Sequence, residues 1–175
     1  MNTELAMKYD NPGPWDSEPD ELAFKHAGLA CWLFRHRRMG HWCGYVVLPS
    51  THPLVGVKCN EESDYLREAK VARLQQPVGE HPSFAVMLSV IGGDFKATPE
   101  GVYVVHGGVT YAGKLRDVPE AAWAFGFDCS HCHDLAPGQR RFGMSFESDQ
   151  VYRDMAYART ECEKLAEQLA IGVTE

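Results

Sequence analysis

Two short segments carry most of the side chains in this chain that could do chemistry. The first is His106-Gly107-Gly108, and the second is Asp128–Asp134, which reads Asp-Cys-Ser-His-Cys-His-Asp. The second segment places six carboxylate, thiol or imidazole groups in seven positions. Such groups bind transition metals and also act as acids, bases and nucleophiles. The sequence therefore predicts a site built from these two segments.

One interpretation of the two segments is a metal site. Cys129 and Cys132 have the Cys-x-x-Cys spacing of zinc sites, and four further residues can complete the coordination shell. These are His106, Asp128, His131 and His133. The second Cys-x-x-Cys pair of a strong zinc signature is missing. Zn²⁺ is therefore the first cofactor to test rather than one that the spacing establishes.

A second interpretation is acid–base or nucleophilic chemistry without a metal. Cys129 would then be the nucleophile, activated by His106 or His131 and oriented by Asp128. Ligand recognition and a purely structural role remain open beside both interpretations. The residue types do not choose among these uses.

Further residues are candidates for ligand contacts. Gly107 and Gly108 permit positive φ, and their successive N–H groups can form an anion-binding nest. A tight connection between two strands is the structural alternative. The other candidates stand beside predicted strands, and they are His41, His52, Thr110 and Tyr111.

Several well-known catalytic motifs are absent. Gly108–Lys114 matches the first seven positions of a P-loop, but Leu115 stands where Ser or Thr must hold Mg²⁺. The chain has no Gly-x-Ser-x-Gly, no His-Glu-x-x-His, and no His-x-Glu followed by Pro-Cys-x-x-Cys. P-loop NTPases, serine hydrolases with a nucleophile elbow, zincins and zinc deaminases are thereby excluded.

The elements that must position these segments can be read from apolar patterns. Leu29–Phe34 and Gly44–Leu48 predict a β-hairpin whose turn carries the basic residues of Arg35–Arg38. Further strands are predicted at Phe84–Ile91, Val102–Val105, Val109–Tyr111 and Trp123–Phe127. Helices are predicted at Glu62–Gln76 and Gln150–Ala170, the latter capped by Ser148 or Asp149. Its apolar stripe, which faces either the core or a partner, is Val151, Met155, Ala158, Cys162, Leu165 and Leu169.

These elements predict an α+β fold. A chain of 175 residues with 45% hydrophobic residues suits one domain. We expect an irregular N-terminal tail over residues 1–20 and a single domain over residues 21–175. The domain should contain a mainly antiparallel sheet and two main helices, of which the C-terminal one is longer.

Composition and the N-terminal sequence indicate which classes of binding partner and which cellular compartment to expect. The net charge of -7 makes nucleic acid an unfavourable partner. No apolar run approaches the roughly 20 residues that cross a membrane. The N-terminus lacks the pattern of a secretory signal, so a cytoplasmic location is expected. The six cysteines are then free thiols or metal ligands rather than disulfides.

The order of several motifs resembles a family of bacteriophage and prophage proteins. The motifs are Gly40–Val46, His52-Pro53, Val105–Tyr111, Gly126–His131, Tyr152–Asp154 and Glu161-Cys162, spread over residues 25–170. The resemblance implies a phage-encoded accessory protein in the cytoplasm of the host cell. It carries no catalytic role with it.

Two functions from different classes follow as hypotheses. The first is a small metal-dependent hydrolase that acts on a phosphorylated or nucleotide-like small molecule, with His106, Asp128 and His131 as ligands or acid–base groups. The second is a non-enzymatic protein that inhibits a host protein or sequesters a host signal molecule, in the manner of an anti-defence factor. Its binding surfaces would be the basic stretch Arg35–Arg38 and the stripe of the last helix.

Overall fold

The sheet is the frame on which the predicted site is built. The computed structural model describes residues 8–9, 11–67, 96–115, 122–139, 143 and 149–171. Within these ranges five antiparallel strands follow the order β1-β2-β3-β5-β4. The strands are β1 (Glu21–His26), β2 (Leu29–Arg35), β3 (Trp42–Val47), β4 (Tyr111–Lys114) and β5 (Trp123–Asp128). Helix α1 (Pro99–Val102) is short and helix α2 (Met155–Ala170) is long, so the predicted α+β fold with a long C-terminal helix is confirmed.

Strands β1, β2 and β3 form two successive hairpins. The hairpin of β2 and β3 is the predicted one, and its connection exposes Arg37 and Arg38. Strands β1 and β2 join at Ala27 and Gly28, whose φ angles of 48° and 79° suit a type I′ turn. Strand β1 was not predicted, because its turn lacks the Asn-Gly or Asp-Gly pair that usually announces such a hairpin.

The chain before His106 differs from the prediction. Val102–Val105 is not a strand, because Thr98 caps α1 and Pro99 takes its first helical position. This local start signal outweighs the β-propensity of the valines that follow. The strand predicted at Val109–Tyr111 begins only at its last residue, as β4.

Helix α2 packs on one face of the sheet, against β1, β2 and β3. Its apolar stripe faces the core, which settles the choice left open by the sequence. The fully buried members are Ala158, Cys162, Leu165 and Leu169. Val151 lies before the helix and is 49% exposed. The N-cap is Asp154, whose side chain accepts the Tyr157 N–H at 2.7 Å, rather than Ser148 or Asp149.

One residue of the predicted basic turn is buried. The Arg35 side chain is 1% exposed and forms ion pairs with Glu18 at 2.5 Å and with Asp20 at 3.1 Å. Its guanidinium also donates to the Tyr152 hydroxyl, against whose ring Trp15 packs edge-on. Arg35 thus fastens the segment before β1 to the sheet and is not part of an exposed basic surface.

Two predicted elements extend beyond the described residues. Residues 64–67 are helical, in agreement with the start of the predicted Glu62–Gln76 helix, whose remainder lies outside the described residues. The predicted strand Phe84–Ile91 also lies outside them. In the described part of the chain, no helix combines the length and apolar character needed to cross a membrane.

Candidate metal centre

His106 lies in a turn between α1 and β4 and is bonded on three sides. Its Nε2–H donates to Asp134 Oδ2 at 2.6 Å, and its Nδ1 is hydrogen-bonded to the Tyr157 hydroxyl at 2.9 Å. Its backbone N–H donates to Glu161 Oε2 at 2.9 Å. Two of these partners project from α2, so packing of this helix on the sheet also fixes the imidazole.

The loop after β5 folds back on itself and brings Asp134 beneath His131. The Asp134 N–H donates to the His131 carbonyl at 3.0 Å, and the His131 N–H donates to Asp134 Oδ2 at the same distance. His133 takes a φ of 68°, a left-handed conformation that lets the chain turn sharply here. The dense run is therefore a compact turn after Asp128, which is the last residue of β5.

Asp134 is a buried carboxylate with an unusual number of donors. Its side chain is 1% exposed. Besides His106 and the His131 N–H, it accepts from Arg153 Nε, which reaches Oδ1 at 3.0 Å. Burial alone would raise the pKa of Asp134, but the hydrogen bonds from His106, the His131 N–H and Arg153, together with the electrostatic interaction with His106, hold that pKa below its usual range. Asp134 is therefore ionised, as a metal ligand must be.

His131 has one ring nitrogen that the protein leaves without a partner. Its Nδ1 is buried and lies 3.9 Å from Asp128 Oδ1 and 3.9 Å from Asp134 Oδ2, too far for a hydrogen bond to either. A buried nitrogen between two carboxylates is a favourable position for a cation. One ligand atom each from His106, His131 and Asp134 lies within 4.8 Å of the others, so these three residues can hold a metal ion.

The solvent side of this group is formed by Asp128 at the end of β5. The side chains of His131 and Asp128 are 34% and 31% exposed, whereas those of His106 and Asp134 are nearly inaccessible. Thr110 Oγ1 donates to Asp128 Oδ2 at 2.9 Å and so orients the carboxylate. The group thus has a buried side that fixes its ligands and an open side that a small molecule can reach.

Gly107 supplies space rather than hydrogen bonds. Its φ is +66°, and a Cβ at this position would lie 1.9 Å from Cε1 of His131. The Gly108 N–H donates to the Val105 carbonyl at 2.9 Å, so it is already used and does not point to an anion. The glycine pair therefore allows the turn at His106 to lie against the His131 ring. These contacts do not form the predicted anion-binding nest.

The two predicted cysteines lie outside the group of three ligands. Cys129 is 1% exposed, and burial together with the charge of Asp134 raises the pKa of its thiol. A buried neutral thiol is a poor nucleophile and a poor ligand. Cys132 is exposed on the same loop. In the part of the chain that the structure describes, neither belongs to a set of three converging ligand residues.

The two histidines that were predicted as ligand contacts beside β3, His41 and His52, lie in different surroundings. His52 lies below the end of α2, where its Nε2 pairs with the Leu169 carbonyl at 3.0 Å, and it takes no part in the site. His41 is buried directly before β3 and stacks on His36 with ring centroids 4.9 Å apart. Its Nδ1 has no partner, and burial lowers its pKa to about 4, against the opposing charges of Asp128 and Asp134.

Three important residues of the site were not singled out from the sequence. Asp134 belongs to the dense segment, but its role as the shared acceptor depends on a turn that spacing alone does not reveal. Tyr157 lies in the first turn of α2 and Arg153 lies directly before its N-cap, where both resemble ordinary surface residues. Arg153 also lies over the Tyr157 ring, 4.7 Å from its centroid. The motif Tyr152–Asp154 was the only signal that pointed to this part of the chain.

Comparison with known protein families, with curated proteins and with solved structures finds no match for this chain. The side chains of the site are therefore the basis for a functional assignment. Two imidazoles and one carboxylate, with an open side, are the ligand set of catalytic zinc sites and of several other divalent-metal sites.

Proposed function

We propose that the protein is a small metal-dependent hydrolase whose metal is bound by His106, His131 and Asp134. The observation that carries this proposal is the buried, unpartnered Nδ1 of His131 between two carboxylates. Zn²⁺ is the first candidate, because imidazole and carboxylate ligands suit it and because three protein ligands leave one position for substrate or water.

The hydrogen bonds of His106 define what metal binding requires. Its Nε2 proton, now shared with Asp134, must leave when Nε2 becomes a ligand, so metal affinity should rise with pH. Its Nδ1 must then carry the proton and donate to the Tyr157 oxygen. Metal-binding histidines usually have such a second partner. Arg153 holds the other oxygen of Asp134 in the same way.

Asp128 is the proposed general base. A bound divalent ion lowers the pKa of a coordinated water and so supplies a nucleophile at neutral pH. Asp128 is close to the proposed ligands without being one of the three, and Thr110 fixes its orientation. It would accept a proton of the attacking water while the water oxygen bonds to phosphorus and the bond between phosphorus and the leaving oxygen breaks. The leaving oxygen would take a proton from solvent. A phosphorylated or nucleotide-like small molecule is the proposed substrate class.

Metal uptake by protein prepared without a histidine tag tests the metal centre. We expect one equivalent of Zn²⁺ in wild-type protein and its loss in His131→Ala and Asp134→Asn. His133→Asn is the matched control, because His133 is on the same loop, is 61% exposed and pairs with Asp149. The proposal is wrong if wild-type protein takes up no divalent metal, or if His133→Asn loses as much metal as His131→Ala and Asp134→Asn.

Hydrolysis of p-nitrophenyl phosphate and of bis-p-nitrophenyl phosphate tests the catalytic step. Asp128→Asn should retain zinc but lower kcat by a factor of about 10²–10⁴, the usual contribution of a general base. Activity that persists unchanged after chelator treatment would argue against metal-dependent chemistry. The phage context belongs to the same proposal and is supported by the motif order in the sequence.

The binding-protein alternative has less support from the described residues. Its two surfaces were the basic stretch and the α2 stripe. Arg35 is buried in an ion pair with Glu18, and the helical part of the stripe faces the core. Arg37 and Arg38 remain exposed. Arg37 lines a cavity together with Lys8, Asp20 and Phe34, but the lining of this cavity mixes acidic with basic side chains and is not one basic surface.

A further inference from the structure

The face of the sheet opposite α2 carries a row of aromatic side chains. Trp32 pairs with Tyr45, and both Tyr45 and Tyr111 pair with Gly126. These four residues therefore lie on one line across β2, β3, β5 and β4. Since neighbouring strands are about 4.8 Å apart, the line is about 14 Å long. Phe34 lies beside it, two residues from Trp32 on the same face.

The rings contact one another and form a continuous surface. Ring centroids are 4.9 Å apart for Trp32 and Phe34, 5.9 Å for Phe34 and Tyr45, and 5.3 Å for Tyr45 and Tyr111. Gly126 makes this arrangement possible, because a Cβ there would lie 2.5 Å from the Tyr45 ring. We call the four half-buried rings of Trp32, Phe34, Tyr45 and Tyr111 the aromatic strip.

Nothing among the described elements packs on the aromatic strip. Helix α2 occupies the other face, and the remaining contacts between elements are those of neighbouring strands. The Trp32 indole N–H forms no hydrogen bond within the described part of the chain. It is not buried, so it is open to solvent. Exposed sheet faces with aromatic rings are used elsewhere to stack nucleic-acid bases.

The aromatic strip leads directly to the candidate metal centre. Asp128 lies two residues beyond Gly126 on β5 and on the same face, which places it about 7 Å further along the strand. Tyr111 follows Thr110, whose hydroxyl is bonded to Asp128. A molecule whose ring lies on Tyr45 and Tyr111 can therefore reach Asp128 with its other end.

We propose that the aromatic strip binds the base of a mononucleotide whose phosphate ester lies at the metal centre. This inference rests on the proposed hydrolase function, since it names the substrate class of the same site. A single nucleotide is favoured over RNA or single-stranded DNA because the net charge of -7 opposes the binding of a long polyanion. Stacking on the strip then supplies recognition of the base, and the metal centre supplies the chemistry.

Equilibrium binding of adenosine, AMP and ribose 5-phosphate tests this inference, with zinc-loaded and with chelator-treated protein. Wild-type protein should bind AMP at least about tenfold more tightly than ribose 5-phosphate, because each stacked ring typically contributes a factor of this size. Tyr45→Leu combined with Tyr111→Leu should abolish the difference, and each single variant should reduce it. Tyr111→Phe keeps an aromatic ring and should retain it.

Phe24→Leu is the matched control. Phe24 is also half-buried on the sheet but lies on the α2 side, where Arg159 covers its ring at 5.1 Å. A control that loses as much affinity for AMP as the double variant would overturn the assignment. So would equal binding of AMP and ribose 5-phosphate by wild-type protein, or binding of a ten-residue oligothymidylate more than a hundredfold tighter than AMP.

The two proposals can fail separately. If chelator-treated protein binds adenosine and loses it in the double variant, the aromatic strip is supported even where no zinc is taken up, and only the metal centre fails. If zinc binds to His106, His131 and Asp134 but adenosine and AMP do not bind, the base platform is overturned and the metal centre stands.

Discussion

The ring of His131 lies directly against Gly107. A Cβ at position 107 would come within 1.9 Å of Cε1 and within 2.3 Å of both ring nitrogens. The contact joins the turn after α1 to the loop after β5, and these two segments carry all three proposed ligands. The absence of a side chain at Gly107 is therefore what allows the ligands to converge.

Gly107→Ala should damage the site more than the fold. The new methyl group must push the His131 ring away, so we expect zinc affinity to fall by about tenfold or more, as when a supporting contact is lost. Gly28→Ala is the control, since Gly28 has a φ of +79° but no atom within 4 Å of its Cβ position. Both variants carry a backbone cost of about 1 kcal/mol. Equal zinc titrations for the two variants would contradict the steric role of Gly107.

Tyr157→Phe should weaken metal binding through His106. Once Nε2 is a ligand, Nδ1–H needs an acceptor, and the Tyr157 hydroxyl is the group at 2.9 Å. Loss of such a partner typically costs 10- to 100-fold, so a decrease of about that size is expected in calorimetric zinc titrations. Tyr65→Phe removes a hydroxyl that serves the Ile171 carbonyl and should leave zinc affinity unchanged. An unaffected Tyr157→Phe would mean that His106 does not bind the metal through Nε2.

The sequence indicated the segments that form the candidate site better than the side chains that converge in it. Apolar periodicity placed β5 and the last helix, and the density of His, Cys and Asp after β5 marked the loop. The cysteines were overvalued, because the Cys-x-x-Cys spacing does not show that Cys129 points into the core. Asp134 was undervalued, because its position beneath His131 depends on the left-handed turn at His133.

The errors in the predicted fold have one local cause and one long-range cause. A strong helix start at Thr98-Pro99 replaced the strand predicted at Val102–Val105. Asp154 rather than Asp149 is the N-cap, because Val151 pairs with Asp134 in a β-bridge and the helix therefore begins only after this residue. That bridge is a long-range contact that no local pattern contains. It also sets the register of α2, and with it the position of Tyr157 relative to His106.

Stability should fall as the pH decreases from neutral because of His41. Burial and the neighbouring His36 lower the pKa of His41 from 6.5 to about 4. Between these values the unfolded chain binds a proton that the folded chain does not, so stability is complete above pH 6.5 and decreases towards pH 4. The total loss from this residue is roughly 3 kcal/mol.

Urea unfolding between pH 4.5 and 7.5 measures this dependence. His41→Leu should show a clearly weaker decrease in unfolding free energy than wild type, because it has no proton to take up. Some dependence will remain, since burial lowers the pKa of His52 in the same direction. His133→Asn, at an exposed position, should follow wild type. The same slope in His41→Leu and wild type would show that His41 is not the source.

Glu18→Gln should destabilise the fold because it removes the more buried of the two carboxylates that pair with Arg35 and leaves only the exposed Asp20. The Arg35 and Glu18 side chains are 1% and 14% exposed, and Glu18 also accepts from Tyr152 and from the Trp42 indole. Removing one partner of a buried pair typically costs 3–5 kcal/mol, so a loss of about 3 kcal/mol in unfolding free energy is expected. Glu62→Gln breaks the exposed pair with Arg67, whose side chains are 43% and 59% exposed, and should cost less than about 1 kcal/mol. Similar losses in the two variants would mean that the segment before β1 is not fastened through Arg35.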